Sequence, residues 1–246
     1  MPVAFLHRDD DLVAVNKPEG VAAVPEYAGD PFCLFAQVST ALGARVTPVH
    51  RLDKNVSGVI LYACRSASHR FLNEAFEQGR ILKTYLALAH GRVESDAGVI
   101  DQPIREFGSG RMGVSPDGKP SVTAYRVLER LDTCTLLEVS PQTGRRHQIR
   151  VHLYHIGHPI VGDLRYGDRA VQQQFNRLML HASGIDLPHP TTGARLVLRD
   201  CPSATFDAEL ESCRNLPQNP ACSLSTECVT EGSSGSGVSS PSRDGI

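Results

Sequence analysis

A chain of 246 residues with a formal net charge of −2, 41% hydrophobic and 21% charged residues, can bury a core. This excludes a wholly disordered polypeptide, and the length suits one large domain or two small ones. No apolar run approaches the roughly 20 residues that cross a bilayer, and the opening MPVAFLHRDDD has no basic segment ahead of an apolar stretch, as a signal peptide has. The expectation is a cytoplasmic protein with no membrane partner.

Charge is unevenly spread. Residues 1–49 hold six acids against three bases, whereas residues 144–199 hold eight Arg, three Asp and six of the ten His. A local basic surface is enough to grip a polyanion, because phosphate attraction is screened beyond about 10 Å. Of the seven Cys, Cys33, Cys64, Cys134 and Cys201 stand alone in apolar or strand-like surroundings, as reduced, buried thiols do. Cys213, Cys222 and Cys228 lack the C-x-x-C spacing of a zinc site.

In chain order, Leu12–Val15 alternates as a short strand after Asp9-Asp10-Asp11 and stops at Lys17-Pro18. Pro31–Gly43 reads as a helix with Leu34, Phe35, Val38 and Leu42 on one side. Gly58–Ala63 is a buried strand. Ser66–Gln78 is a helix, with Ser66 as N-cap and Gly79 at the C′ position. Thr84–Ala89 is a strand, and Val122–Leu131 with Thr133–Val139 form a hairpin joined at Asp132. Thr143–Ile156 reads as a helix with Ile149, Leu153 and Ile156 in register, ended by Gly157 and Pro159. Arg195–Leu198 is a late strand and Thr205–Ser212 a last helical turn or two. From Arg214 to Ile246 the chain is rich in Ser, Gly and Pro and reads as a disordered tail, leaving residues 1–213 as one folded domain. Strands and helices do not alternate strictly, so the expected class is α+β with a mixed sheet.

Two motifs are set aside. Gly108-Ser109-Gly110-Arg111-Met112-Gly113 satisfies G-x-G-x-x-G, but the Pro- and Gly-rich segment Val114–Pro120 cannot open the helix that a dinucleotide site requires. Residues 105–119 instead read as a flexible surface loop, with Arg105, Arg111 and Lys119 able to meet phosphates. His147, His152, His155 and His158 lack the i, i+4 spacing and the acidic partner of a helical metal site, so no metal is expected.

The informative stretch is His50-Arg51-Leu52-Asp53-Lys54-Asn55-Val56-Ser57-Gly58, which runs directly into a buried strand. A carboxylate there is fixed by the scaffold yet accessible from a loop. Further along come Lys83-Thr84-Tyr85-Leu86-Ala87-Leu88 and Thr143-Gly144-Arg145-Arg146-His147-Gln148-Ile149-Arg150-Val151-His152. Leu180-His181-Ala182 and His189-Pro190 follow, and Asp11-Leu12-Val13-Ala14-Val15-Asn16-Lys17-Pro18-Glu19-Gly20 precedes them. Together, in this order, these segments resemble the RluA-type pseudouridine synthases over about residues 3–205.

The resemblance implies the pseudouridine synthase fold, a mixed and largely antiparallel sheet flanked by helices and loops. It implies isomerisation of uridine in RNA with no cofactor. Asp53 matches the family's nucleophile, attacking C6 of the base or C1′ of the ribose. Arg150 matches the Arg placed against that carboxylate, where a guanidinium favours the charged nucleophile and fixes its rotamer. Tyr85 matches the active-site Tyr that stacks on the uracil. Arg51 matches the residue that fills the gap left by a flipped base, Leu180 an apolar wall under the uracil, and His50 and Arg146 lie on the substrate side. The expected partner is ribosomal or transfer RNA, with no DNA, met by a monomer.

Two positions depart from the family pattern: Val56 stands where Thr is usual, and Arg146 where a small Thr or Ser is usual. The match begins by about Val3, which leaves no place for the S4 domain that many members carry. Two competing readings differ in kind. One is a non-catalytic RNA-binding module of the same fold, which the presence of Asp53, Tyr85 and Arg150 disfavours. The other is a hydrolase pairing Asp53 with His50, for which no oxyanion-hole or metal motif is present.

Overall fold

The apolar run SGVILYA, Ser57–Ala63, is buried at all seven positions, as a strand covered on both faces must be. The computed structural model describes residues 3–215. Its first half runs β1 (Ala4–Arg8), β2 (Leu12–Lys17), α1 (Leu34–Leu42), β3 (Thr47–Pro48), β4 (Ser57–Ala63), α2 (Ser66–Glu77), β5 (Leu82–His90) and β6 (Ala97–Asp101). There follow β7 (Ile104–Phe107), β8 (Arg111–Val114), β9 (Val122–Arg130), β10 (Cys134–Pro141), α3 (Gln148–His155), α4 (Arg169–Gln172), β11 (Leu180–Pro188), β12 (Arg195–Arg199) and α5 (Ala204–Arg214).

One sheet dominates, in the order β1-β2-β4-β11-β5-β10-β9-β6, with β12 on β11 and β3 on β4. The pairs are antiparallel except β4 with β11, which run parallel through Ser57–His181 and Gly58–Ala182. The α+β expectation of a mixed, largely antiparallel sheet holds. The period-2 alternation of β2 and β4 divides the core. Val13, Val15, Ile60 and Tyr62 pack with Leu34 and Val38 of α1, Ile149 and Leu153 of α3, and Phe206 of α5. Leu12, Ala14, Val59 and Leu61 pack with Leu72 and Ala75 of α2.

Several boundaries move. The helix expected from Thr143 starts only at Gln148, because the Gln148 Oε1 accepts from the Thr143 hydroxyl and the Arg145 N–H and holds the preceding residues in a turn. Arg65, not Ser66, occupies the N-cap of α2 in extended conformation. The segment expected as a flexible loop forms the β7–β8 hairpin, with Gly108–Gly110 as a single tight turn at its tip. Its base is closed by paired backbone bonds between Ile104 and Lys119, and Ile104 is buried. Cys33, Cys134 and Cys213 are buried free thiols, Cys64 is half-buried, and Cys201 is exposed, against expectation. Arg214, read from composition as the start of the tail, ends α5 and donates to Glu129 on β9. The remainder of the expected tail lies outside the described residues.

Gly58 marks the closest approach of β4 and β11. It has φ +112°, and a Cβ there would lie 2.2 Å from the Ala182 carbonyl oxygen. The Ala182 atoms it would meet are all backbone, so nothing can swing aside. Gly58→Ala is expected to lower the unfolding free energy by at least ~3 kcal/mol, read from urea denaturation. An unchanged urea midpoint would contradict this packing.

Candidate active site

Asp53 lies in the loop between β3 and β4, and backbone bonds pin that loop. The Gly20 N–H donates to the Lys54 carbonyl at 2.9 Å and the Val56 N–H to the Asp53 carbonyl at 3.0 Å. Beneath it, Lys17 is fully buried and its Nζ donates to the carbonyls of Pro18, Val21 and Lys54 at 2.7–2.8 Å. An ammonium offers three donors, and here three carbonyls take them. Burial pulls the Lys17 pKa down to about 7, with the charges of Asp53 and Glu19 opposing the fall.

The Asp53 carboxylate receives its cation from α3. Arg150 Nη1 donates to Asp53 Oδ2 at 3.0 Å. The other edge of the same guanidinium forks onto Asp163, Nε to Oδ2 and Nη2 to Oδ1, both at 2.7 Å. Asp163 is 1% exposed. Burial works against the Arg150 charge, but Asp163 and Asp53 more than offset it and hold the guanidinium above its ordinary pKa. Oδ2 of Asp53 also lies 3.6 Å from His147 Nε2. Among the described residues no protein donor reaches Oδ1.

Tyr85 on β5 and Leu180 at the start of β11 share one face of the sheet. Leu180 pairs with Ala87, and Tyr85 stands two residues along from Ala87. Burial, with the Asp53 charge nearby, raises the Tyr85 phenol above its ordinary pKa, so it keeps its proton at neutral pH. His50 also stays neutral. Burial, then the charge of Lys83, pushes it down to about 3, and its Nε2 accepts the Leu61 N–H at 3.0 Å. Arg51 is exposed, and Arg146 reaches across to Glu106 of the β7–β8 hairpin at 3.5 Å.

All seven residues expected to form a site, Asp53, Tyr85, Arg150, Arg51, Leu180, His50 and Arg146, line one cavity of about 570 Å³. A second recess of about 500 Å³ shares Arg51, Asp53, Arg146, His147 and Arg150 and extends to Lys54 and Arg165. The first is walled by Tyr85, Ile81 and Leu180 and has room for a whole nucleotide; the second is lined mainly by charged groups.

The two departures also find places. Val56 is buried in the core, where its methyl groups replace a hydroxyl without stranding a partner. Arg146 ties the hairpin to the cavity rim. Sequence reasoning gave no role to Lys17, His147, Asp163 or Tyr166. The burial of Lys17 and Asp163 is a tertiary fact. Among the described residues the carboxylate–imidazole grouping able to share a cation is Asp9, Asp11 and His189. It sits at the other end of β2 from Asp53, and its atoms are already paired: His189 Nε2 with Asp9 at 3.0 Å, Thr191 with Asp11 at 2.6 Å.

A family model described as RNA pseudouridylate synthase matches residues 11–155, which include Asp53, Tyr85 and Arg150. The chain belongs to the RNA pseudouridylate synthase family. A ribosomal large subunit pseudouridine synthase C from Yersinia pestis is 37% identical over 85% of this chain and 67% of its own length. A tRNA pseudouridine synthase C from Haemophilus ducreyi is 33% identical over 80% of this chain and 90% of its own. The solved structure of human RNA Pseudouridylate Synthase Domain Containing 4 superposes with a TM-score of 0.73 at 27% identity, covering 86% of this chain and 93% of that one. This pseudouridine synthase therefore has the fold expected of it, and it is an isomerase.

Arg150→Ala leaves Asp163 buried without its counter-ion. The pseudouridine synthase is expected to lose about 3–5 kcal/mol of stability, a fall of roughly 6–20 °C in thermal midpoint. A midpoint within 2 °C of wild type, by calorimetry, would contradict the bridging role.

Proposed function

We propose that the protein converts uridine to pseudouridine in ribosomal or transfer RNA, with Asp53 as nucleophile. The observation that carries this reading is the meeting of Asp53, bonded to Arg150, with the apolar walls of Tyr85 and Leu180 in one cavity. Asp53 Oδ1 attacks C6 of the uracil or C1′ of the ribose, and the N1–C1′ bond breaks. The uracil turns and C5 bonds to C1′, the C–O bond to Asp53 breaks and returns the carboxylate, and C5 gives up its proton to solvent while N1 takes one, so that the product is an isomer of the substrate. Nothing is oxidised or reduced, so the reaction calls for no cofactor and is expected to run in EDTA.

Each remaining residue has a part. The target nucleotide leaves its stack at a cost of a few kcal/mol, and the exposed Arg51 takes the space it vacates. The Tyr85 ring stacks on the uracil, worth about 1–3 kcal/mol. With its proton retained, Tyr85 contributes its face rather than a phenolate. Leu180 forms the wall below. Neutral His50 completes the wall without a second charge, and Arg146, with the charged recess beside it, takes backbone phosphates. The enzyme acts as a monomer in the cytoplasm, and among the described residues no helix is long and apolar enough to cross a membrane.

The experiment is pseudouridine mapping at single-nucleotide resolution in cells with and without the gene. Loss of one or a few sites, restored by wild type and not by Asp53→Asn, is the expected outcome. Purified Asp53→Asn should fall at least about 10³-fold in turnover while still binding RNA. Turnover by Asp53→Asn near the wild-type rate would remove Asp53 from the mechanism.

A further inference from the structure

His147 is the one non-glycine residue with left-handed backbone among the described residues, at φ 56° and ψ 20°, immediately before α3. A non-glycine residue holds that conformation when its surroundings over-determine it. The surroundings are specific. Nδ1 of His147 lies 2.7 Å from the Tyr166 hydroxyl, and Nε2 lies 3.6 Å from Asp53 Oδ2. The ring is 9% exposed.

The hydrogen-bond chain favours one place for the imidazole proton. The backbone N–H of Met112, on the β7–β8 hairpin, donates to the Tyr166 oxygen at 3.2 Å. Burial raises the Tyr166 pKa, so the hydroxyl keeps its own proton and donates it to His147 Nδ1. A neutral imidazole that accepts at Nδ1 carries its hydrogen on Nε2. Neutrality follows from burial and from three guanidiniums facing the ring: Arg150 on α3, Arg146 before it, and Arg165 in the loop that also carries Tyr166. Asp53 alone pulls the other way. The result is an Nε2–H aimed at the edge of Asp53 that Arg150 already holds.

We propose that His147 is a positioning residue for Asp53: with its tautomer locked by the Tyr166 hydroxyl, it presents Nε2–H to Oδ2, so that Oδ2 is tied and Oδ1 is turned to the substrate. At 3.6 Å this contact is too long for a hydrogen bond in the free enzyme. It shortens when RNA fills the cavity and excludes water, as such contacts commonly do in enzyme–substrate complexes. Because the chain starts at Met112, seating of the hairpin on RNA is felt at the carboxylate. The inference rests on the reading of Asp53 as nucleophile.

The test separates the imidazole's donor from its backbone conformation. Gln places an N–H donor where Nε2–H stood. Asn favours the left-handed backbone but places its amide near Nδ1. Leu offers neither. Total RNA tritiated at uridine C5, from cells lacking the gene, supplies the substrate, and tritium release reports turnover. His147→Gln is expected to keep kcat within about 5-fold of wild type, while His147→Leu and His147→Asn lose about 10–100-fold in kcat with KM unchanged. Tyr166→Phe should lose a similar factor, and nitrogen-15 spectra should change His147 from one Nε2–H tautomer to a mixture. Full activity of His147→Leu, equal losses for Gln and Leu, or an Nδ1–H tautomer in wild type would each overturn the proposal. An Asn variant more active than Gln would assign His147 to backbone geometry instead, and also overturn it. Failure of the wild-type enzyme itself to release tritium would sink the nucleophile assignment, and this inference with it.

Discussion

The guanidinium of Arg150 organises the site. It is nearly buried, and a buried charge is tolerated only when paired and hydrogen-bonded. Asp163 meets that requirement with a two-point fork, which consumes Nε and Nη2 and leaves Nη1 for Asp53. A lysine could carry the charge but not the fork, because its ammonium is a point donor on a flexible stem. The position of Asp53 is thus inherited from a second carboxylate that does not line the cavity of Tyr85 and Leu180.

Asp163 is in turn held by its own loop. Its Oδ1 accepts the N–H groups of Arg165 and Tyr166, and its own N–H donates to Gln172. The short turn from Gly162 to Tyr166 therefore places three groups at once: the anchor of Arg150, the partner of His147, and a cation at the charged recess. On the other side of Asp53, the buried Lys17 gathers three carbonyls from two loops. The carboxylate is thus held by the Arg150 guanidinium on one side, and its loop is gathered by Lys17 on the other. Such a shell keeps the carboxylate oriented without substrate present, which lowers the reorganisation needed on binding.

The sheet supplies the apolar half of the site. β5 lies between β11 and β10, so Tyr85 and Leu180 share a face through ordinary strand pairing. The β7–β8 hairpin closes the opposite approach through Arg146–Glu106, the Arg165 bond to the Gly110 carbonyl, and the Met112 bond to Tyr166. These contacts are few and partly exposed, whereas those of the central strands are buried. The division gives a buried floor and a rim held by few, partly exposed contacts.

Much of this was legible beforehand. β2, β4, β5, β9, β10 and the main helices announce themselves through periodicity and local stop signals, which depend only on near neighbours in the chain. The seven cavity residues were found through short ordered motifs, and the cavity brings them together. The β7–β8 hairpin was not legible, because its strands are only four residues long, its tip turn is rich in glycine, and it is held by distant partners. Nor was the turn at His147, where a helical pattern continues through a residue whose backbone is left-handed. The sequence by itself determined the fold class, the family and which side chains meet at the site, since these follow from local patterning and motif order. Only the tertiary structure decided that Asp163 anchors Arg150, that Lys17 is buried, and that Tyr166 holds His147 against Asp53. Each of those depends on which charges lose their water, and that is set by packing between segments far apart in the chain.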